Sequence, residues 1–369
     1  MHTAPPVTTS AELLHALDRL TDADFVALDT EFMRESTYFP KLCLVQLATP
    51  AHCVLIDPQA LPDLQPLWNF LNDRSRTKVL HAARQDLEVL SVAMRDALHG
   101  PIFDTQIAAA LLGQPAQIGY GALVAARLGQ QLEKGHTRTD WSRRPLSPEQ
   151  LQYAEDDVRY LVPLYLNLRE SLEAAGRTPW LFEETRELEH PALHRTEPEA
   201  AWKRLKGLER LRPEQRATAK LLAHWREEMA IKHDKPRGWI LADDALREIA
   251  ERLPGTAQEL ESVRSLPAGV ARRRGEELLA VITKGREQGD NEPASSVPPR
   301  PEPQQLAMVT KLMNVARAAA EELKISPELL ATRRDVEQLV FSRRMDRLNT
   351  GWRKDVIGDR LIARLEGAS

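Results

Sequence analysis

The sequence is poor in cysteine. Only Cys43 and Cys53 occur among 369 residues, and no second Cys or His pair lies at zinc-ligand spacing around them. A framework of disulfides, as in small secreted domains, is therefore excluded. One disulfide between the two is left open, but we expect both to be buried free thiols.

Long apolar runs are also missing. No uninterrupted apolar stretch approaches the roughly 20 residues that a membrane-spanning helix needs. Met1–Pro6 has neither a basic region nor an apolar core, so we expect no secretion signal and a cytoplasmic location. With 42% hydrophobic and 28% charged residues the composition is that of a globular protein, and the length suggests two or three domains.

The net charge of −4 hides an uneven distribution. Residues 1–172 contain 15 basic and 21 acidic side chains, residues 203–285 contain 18 and 13, and residues 305–369 contain 12 and 9. An acidic unit followed by two basic units fits metal chemistry in the first and polyanion binding in the others. Ordinary variation among solvated surfaces explains the counts equally well.

Two acidic residues end a strand-forming stretch near the N-terminus. Residues 25–32 read FVALDTEF, and Asp29 and Glu31 share one face of a strand because side chains alternate. Neighbouring carboxylates at the end of a hydrophobic strand repel each other and lose hydration, and a divalent cation offsets both effects. The alternative is a solvated strand end without a metal.

Further acidic residues begin or line helices downstream. Asp86 lies in the first turn of the helix that follows the strand Lys78–Ala82, where an acidic residue also compensates the helix dipole. Tyr153 and Asp157 are four residues apart and share a face of a helix that begins with a capping box at Ser147. A partly buried hydrogen-bonded pair explains Tyr153 and Asp157 without catalysis.

Two other aspartates have structural interpretations. Asp104 precedes the predicted helix Gln106–Leu112 and is expected to cap it. Asp57 is followed by Pro58 and is expected to end a strand in a turn. We include neither in the predicted site.

The order of elements predicts the fold class. Short strands joined by short turns, then strands alternating with helices, describe a mixed α/β sheet over residues 25–170. After residue 203 the apolar spacing is helical, with few strand signals. We expect an α/β domain whose mixed sheet is flanked by helices, followed by two all-α helical bundles.

Changes in composition set the predicted domain boundaries. An acidic helical connector with 3 basic and 7 acidic residues follows the α/β domain, and a flexible linker with five prolines separates the two helical units. The predicted division is residues 1–172 (α/β domain), 173–202 (connector), 203–287 (first helical domain), 288–304 (linker) and 305–369 (second helical domain).

Together these motifs resemble the DEDD superfamily of 3′→5′ exonucleases, in the branch with a tyrosine in its third motif. The three motifs occur in order as Asp29-x-Glu31, Asp86 and Tyr153-x-x-x-Asp157. Within the superfamily the chain is most similar to the ribonuclease D family. Supporting stretches are LHAARQDLEV at 80–89, FDTQ at 103–106, TDW at 139–141 and RPL at 144–146.

The second motif departs from the general pattern of the superfamily. His81 and Gln85 stand where that pattern has an Asn and an aromatic residue. The same departure is usual within the ribonuclease D family. It therefore favours that family over others of the superfamily and does not argue against activity.

The resemblance implies an RNase-H-like fold and a role for each motif residue. Asp29, Glu31, Asp86 and Asp157 are the expected ligands of two Mg²⁺ or Mn²⁺ ions, hard cations that stabilise charge on the attacking and leaving oxygens of a phosphodiester. Tyr153 is expected to orient the attacking water, because a phenol with an ordinary pKa near 10 is a poor base at neutral pH.

Two other residues of this domain are candidates for RNA contact. Phe32 is expected to stack near the terminal base, although an aromatic residue there equally suits the core. His81 is expected to face the substrate or, as the simpler alternative, to be a satisfied structural histidine at a strand end.

Both C-terminal units resemble the helicase-and-RNase-D C-terminal (HRDC) domain, the first through DKP at 234–236, DDAL at 243–246 and RRRG at 272–275, and the second more loosely. These units are expected to bind nucleic acid, and a solvated basic face is the alternative. The sequence contains no P-loop pattern, which argues against an ATP-driven helicase. The expected phosphate contacts are Lys232, Lys235, Arg272, Arg273 and Arg274.

The resemblance thus implies a metal-dependent 3′→5′ exoribonuclease that releases nucleoside 5′-monophosphates. We expect its substrate to be RNA with a free 3′-hydroxyl, such as tRNA precursors, and the protein to be a monomer. One alternative is an exonuclease that uses the same site on DNA. Another is an RNA-binding protein that has lost its catalytic activity.

Overall fold

The computed structural model describes residues 5–132, 139–190, 197–292 and 301–367. The chain divides into two compact units. The first comprises Met1–Met33, Leu42–Pro191 and Pro301–Ser369, and the second comprises Arg34–Lys41 and Ala192–Arg300. Among the described residues, no helix is long and apolar enough to span a membrane.

A five-stranded mixed sheet forms the centre of the first unit, as the sequence predicts. β1 pairs in parallel with β4, β4 pairs in parallel with β5, and β2 pairs antiparallel with β3. The spatial order is β3-β2-β1-β4-β5. The strands are β1 (Phe25–Met33), β2 (Lys41–Ala48), β3 (Cys53–Ile56), β4 (Thr77–Leu80) and β5 (Ile102–Asp104).

The two cysteines lie on neighbouring strands but far apart. Cys53 is paired with Ala48, and Ala48 lies five positions along β2 from Cys43, which corresponds to about 16 Å. This exceeds the reach of a disulfide, and both thiols are free. Cys43 is buried as expected, whereas Cys53 is only partly buried.

Local capping determines where several helices of the first unit begin. Thr9 and Ser147 form capping boxes with Glu12 and Gln150, and Asp104 caps the helix that follows β5. The helices are α1 (Ser10–Asp18), α2 (Gln65–Leu71), α3 (Arg84–Met94), α4 (Thr105–Leu111), α5 (Tyr120–Leu128), α6 (Pro148–Arg159), α7 (Leu161–Ala174) and α8 (Thr178–Arg186).

Alternation along β1 separates the core into two layers. Val26 and Leu28 belong to the layer that contains Leu87 of α3, whereas Phe25 and Ala27 belong to the layer that contains residues of α6 and α7. Even-numbered side chains of β1 therefore face α3, and odd-numbered ones face α6 and α7.

The second unit is a helical bundle with its own core. Leu222 and Trp225 of its long first helix pack against Ile249 and Leu278. Within this unit the backbone N–H groups of residues 38 and 39 both donate to Asp234 at 3.0 Å. The helices are α9 (Pro213–His233), α10 (Arg237–Ile240), α11 (Asp243–Arg252), α12 (Ala257–Glu261) and α13 (Ala268–Gln288), with 3₁₀ turns at Pro198–Arg204, Leu208–Arg210 and Gly289–Asn291.

The C-terminal helices share a core with the sheet domain. Leu312 of α14 lies in the same buried cluster as Leu111 of α4, and Arg177 donates to the carbonyl oxygens of Leu111 and Leu323. The elements are α14 (Pro303–Leu323), α15 (Pro327–Leu330), α16 (Arg333–Ser342), α17 (Gly351–Arg353) and α18 (Asp359–Glu366), with a 3₁₀ turn at Asp346–Asn349 and a π turn at Lys354–Gly358.

The structure thus groups residues 301–367 with the sheet domain by their packing. Whether they descend from a second HRDC-like domain stays a prediction, as do the predicted domain boundaries. Part of the predicted linker, residues 293–300, and part of the predicted connector, residues 191–196, lie outside the described residues.

Truncating Trp352 should destabilise the first unit strongly. Its indole is only 4% exposed, stacks on Trp180 with ring centroids 4.6 Å apart, and donates to Glu184 Oε1 at 2.9 Å. We expect Trp352→Ala to lower the free energy of unfolding by about 3–5 kcal/mol, measured by urea denaturation. Leu306→Ala, a control at a side chain that is 42% exposed, should change it by less than about 0.5 kcal/mol. Equal effects of the two variants would contradict this packing.

Candidate active site

β1 extends beyond its neighbour β4 where the acidic pair lies. Ala27 is paired with Val79, so Leu80, the last residue of β4, is level with Leu28. Residues 29–33 continue past the end of β4. The side chains of Asp29 and Glu31 therefore have space beside them that a longer neighbouring strand would fill.

Three carboxylates meet in this space. Asp29, Glu31 and Asp157 each place one carboxylate oxygen within 4.8 Å of the other two. By the alternation of β1, Asp29 and Glu31 are on the side of α6, the helix that brings Asp157. Clustered carboxylate oxygens are the ligands that hard divalent cations prefer, so the donor set fits such an ion.

Asp86 reaches the cluster from the opposite side of the sheet. It is buried in the first turn of α3, and Thr30 Oγ1 donates to Asp86 Oδ1 at 2.5 Å. Asp86 is not one of the three residues within 4.8 Å, but its charge raises the pKa of both Asp29 and Glu31. A role limited to the helix dipole does not explain an aspartate that is buried beside other carboxylates.

Burial raises the pKa of all four acidic groups, and repulsion from other carboxylates of the cluster adds to this rise at Asp29, Glu31 and Asp157. Burial first, and then the charges of the other carboxylates, raise the pKa of Asp29 well above its ordinary value and that of Glu31 to about 9. Burial raises the pKa of Asp157 to about 7 and that of Asp86 to about 6, although hydrogen bonds from Tyr153 and Thr30 act in the opposite direction. Without a cation, the cluster therefore retains protons near neutral pH.

Tyr153 contacts the cluster one helical turn before Asp157. Its hydroxyl is hydrogen-bonded to the Asp157 carboxylate, and its ring lies 6.1 Å from that of Trp141. Burial and the neighbouring carboxylates raise the pKa of Tyr153 above its ordinary value of 10. The hydroxyl is thus a hydrogen-bond donor at neutral pH.

Asp104 holds the turn that presents Asp86. As predicted, it caps α4 through the backbone N–H of Gln106 at 2.8 Å. It also accepts the N–H groups of Ala82 at 3.1 Å and Ala83 at 2.9 Å, and Ala82 has a left-handed φ of 54°. One buried carboxylate therefore fixes both the start of α4 and the path from β4 into α3. The position of Asp104 just before a helical pattern predicts the cap. No local pattern in the sequence predicts its contacts with Ala82 and Ala83.

Arg144 anchors the loop that leads into α6. Its guanidinium donates to both oxygens of Asp57, at 2.5 and 2.7 Å, and to the carbonyl oxygen of Cys43 at 2.7 Å. Asp57 also accepts the N–H of Gln59 at 3.0 Å, which confirms its predicted role in a turn. The ion pair with Arg144, which is 87 residues away, was not predicted from the sequence.

The structure places Phe32 and His81 among structural contacts. Phe32 is half-buried against the core layer on the α3 side, and alternation points it away from Asp29. His81 contacts the carbonyl oxygen of Ile118 through Nε2 at 3.1 Å and Thr105 Oγ1 through Nδ1 at 2.9 Å. Burial lowers the pKa of His81. These surroundings match the structural alternatives given above.

The predicted phosphate contacts lie in the second unit, at the end of α9, just after it and near the start of α13. Lys232, Lys235, Arg272 and Arg273 are exposed. Arg274 is half-buried and donates to Glu277 Oε1 and to His233 Nε2, each at 2.9 Å. Arg274 is thus more constrained than the other four.

The acidic cluster predicts an unusual dependence of stability on pH. Because the folded-state pKa values of Asp86, Asp157 and Glu31 lie above their ordinary values, the metal-free folded state binds extra protons from about pH 4 to about pH 9. This contribution to the free energy of unfolding therefore falls as pH rises through that window. Mg²⁺, which favours ionised carboxylates, should raise the melting temperature more at about pH 8.5 than at about pH 5.5.

Asp29→Asn provides the comparison. In EDTA at about pH 8.5 it should be more stable than the wild type, because one repelling charge is removed, and it should lose most of the stabilisation by Mg²⁺. Thermal unfolding of both proteins with EDTA or Mg²⁺ tests these two opposite effects. If the variant matches the wild type in both solutions, the carboxylates do not interact as described.

Comparison with known proteins agrees with this geometry. A family described as 3′-5′ exonuclease matches residues 5–173, and the HRDC domain family matches residues 215–282. The first match contains all five motif residues, and the second contains the five predicted phosphate contacts. The predicted exonuclease domain and the first predicted HRDC domain thus each match a family of that description.

Relatives match almost the full chain. Ribonuclease D of Nitrobacter hamburgensis is 37% identical and covers 98% of this chain and 95% of its own, and ribonuclease D of Acidiphilium cryptum is 40% identical with coverages of 98% and 93%. The crystal structure of Escherichia coli RNase D, described as an exoribonuclease involved in structured RNA processing, is 33% identical, with a TM-score of 0.89 and 98% of each chain covered. The chain therefore belongs to the ribonuclease D family of 3′→5′ exoribonucleases.

Proposed function

We propose that this chain hydrolyses RNA from its 3′ end at the Asp29–Glu31–Asp157 cluster and releases nucleoside 5′-monophosphates one at a time. The observation that carries the proposal is the convergence of three carboxylate oxygens within 4.8 Å, with Asp86 held beside them by Thr30. A partly buried group of acidic side chains repels anionic RNA unless a cation accompanies it.

The four carboxylates are the proposed ligands of two divalent cations, Mg²⁺ or Mn²⁺. Exonucleases of this superfamily use divalent metal ions, and Asp29, Glu31, Asp86 and Asp157 offer the hard oxygen donors that these ions prefer. When bound, the cations supply positive charge where the attacking and leaving oxygens of the phosphodiester become negative. Thr30, by its hydrogen bond, orients Asp86 for this role.

Tyr153 is the proposed residue that orients the attacking water. Because its pKa is raised, the phenol remains protonated and donates or accepts a hydrogen bond without removing a proton. Its bond to Asp157 fixes the hydroxyl at the edge of the cluster. Asp104 and Arg144 act one step away, since they hold the backbone that carries Asp86 and the loop that leads to α6.

The proposed substrate is RNA with a free 3′-hydroxyl, and tRNA precursors are the proposed natural class. The relative from E. coli acts in structured RNA processing, which supports this choice. Lys232, Lys235, Arg272, Arg273 and Arg274 are the proposed phosphate contacts in the HRDC unit, with Phe32 and His81 as candidates in the sheet domain. We propose further that the protein acts as a cytoplasmic monomer.

An exonuclease that acts mainly on DNA is the nearest alternative, because a carboxylate site for cations does not itself read the sugar. Ribose and deoxyribose oligonucleotides of one sequence separate the two, since the 2′-hydroxyl distinguishes RNA. An RNA-binding protein without catalysis is disfavoured because the four carboxylates and Tyr153 are all in place.

The direct test is cleavage of a 5′-labelled single-stranded RNA by wild type and Asp157→Asn in Mg²⁺, Mn²⁺ or EDTA. We expect a ladder that shortens from the 3′ end, is absent in EDTA, and is slowed at least about a hundredfold in the variant, because loss of a ligand typically costs that much or more.

Asp156→Asn is the matched control. Asp156 undergoes the same chemical change one residue away, where its carboxylate accepts from Gln152 and pairs with Arg159. Its activity should stay within about threefold of the wild type, as for most substitutions outside a site. Wild-type protein that binds the RNA but leaves it intact with either metal would refute the catalytic proposal.

A further inference from the structure

The second unit carries an exposed tryptophan. Trp239 is 63% exposed, the highest exposed fraction among the large apolar residues that the structure describes. It lies in the single turn α10, held by a hydrogen bond from its backbone N–H to the carbonyl oxygen of Pro236 at 2.8 Å. An exposed indole on a fixed turn is costly to hydrate and is typical of a binding surface.

A lysine lies over this indole. Lys235 Nζ lies over the ring, 5.8 Å from its centroid, and Lys232 is exposed at the end of α9. A cation on one side of the ring leaves most of the indole accessible. Aromatic rings beside lysines suit nucleic-acid bases, because the base stacks while the cation attracts the adjoining phosphate.

A cavity lined by arginines lies next to the residue that precedes Trp239. It has a volume of about 430 Å³ and is lined by the side chains of Arg204, Arg226 and Arg237 together with Gly238, the residue before Trp239. The three arginines come from three separate segments: the 3₁₀ turn Pro198–Arg204, α9 and α10. A Cβ added at Gly238 would meet no atom within 4 Å, so the backbone here is open to a ligand.

Two carboxylates contact these arginines. Asp243 accepts from Arg226 Nη1 at 2.5 Å, while the buried Glu227 lies 3.9 Å from Arg204 Nη1 and 3.6 Å from Arg237 Nη1 and accepts the Tyr38 hydroxyl. Three guanidinium groups and two carboxylates therefore meet around the cavity.

The three arginines suit an anion. Guanidinium groups bind phosphate through several N–H donors at once. Arg204, Arg226 and Arg237 bring such groups to one cavity from three segments of the chain.

We propose that Trp239 and the cavity of Arg204, Arg226 and Arg237 form a binding site for one nucleotide of single-stranded RNA. The base stacks on the indole, and the adjoining phosphate enters the cavity. This inference rests on the proposed function, in which RNA is the substrate, and it names a site in the HRDC unit where a single-stranded part of the RNA is held.

Binding of a 5′-fluorescein-labelled oligouridylate to the full chain, measured by anisotropy in EDTA, tests the stacking. Trp239→Ala should raise Kd about 5- to 150-fold, the range of one base–aromatic stack. Trp239→Phe should stay within about threefold of the wild type, because a ring is retained. Phe341→Ala, a control at an exposed aromatic side chain of the first unit, should not change Kd.

The proposed phosphate contact is tested by the salt dependence of oligouridylate binding in the same assay. Arg204→Gln should reduce the slope of log K against log salt by about one, as expected for one lost phosphate contact. An unchanged Kd for Trp239→Ala would overturn this inference alone, whereas wild-type protein that fails to bind RNA would overturn the proposed function as well.

Discussion

Repulsion among partly buried carboxylates is the constraint on which the first unit depends. Asp29, Glu31 and Asp157 lie within 4.8 Å of one another, and Asp86 adds a fourth charge from the other side of β1. Anions at this distance, away from water, separate unless the backbone holds them. The support comes from a central strand with a helix on each face, which fixes the backbone positions of all four residues.

This constraint links stability to function. The cluster opposes folding of the metal-free protein as it ionises, and the same cluster becomes favourable when a cation enters. Burial raises the pKa of Asp86 and Asp157, but hydrogen bonds from Thr30 and Tyr153 oppose this rise. These bonds thus favour the charged form that a cation requires. A cluster of like charges that destabilises the fold is expected to be retained for function.

Local patterns predicted more of this protein than long-range contacts did. The β1 strand with Asp29 and Glu31, the capping box at Ser147 and the cap at Asp104 follow from residues within four positions of one another. The contacts of Asp104 with Ala82 and Ala83, and the pair of Arg144 with Asp57, join segments 21 to 87 residues apart, where no periodicity exists to detect. The shared core of α14 and α4 has the same explanation, because an apolar helix face does not specify its partner.

The most direct test of the account is the location of bound metal. Crystals grown with Mn²⁺ and a nucleoside 5′-monophosphate, measured at the manganese absorption edge, reveal each ion by its anomalous scattering. The account predicts two peaks, both within coordination distance of Asp29, Glu31, Asp86 or Asp157 carboxylate oxygens and both lost in Asp29→Asn. Peaks only at other sites, or none, would contradict the claim that these four carboxylates form a centre for two metal ions.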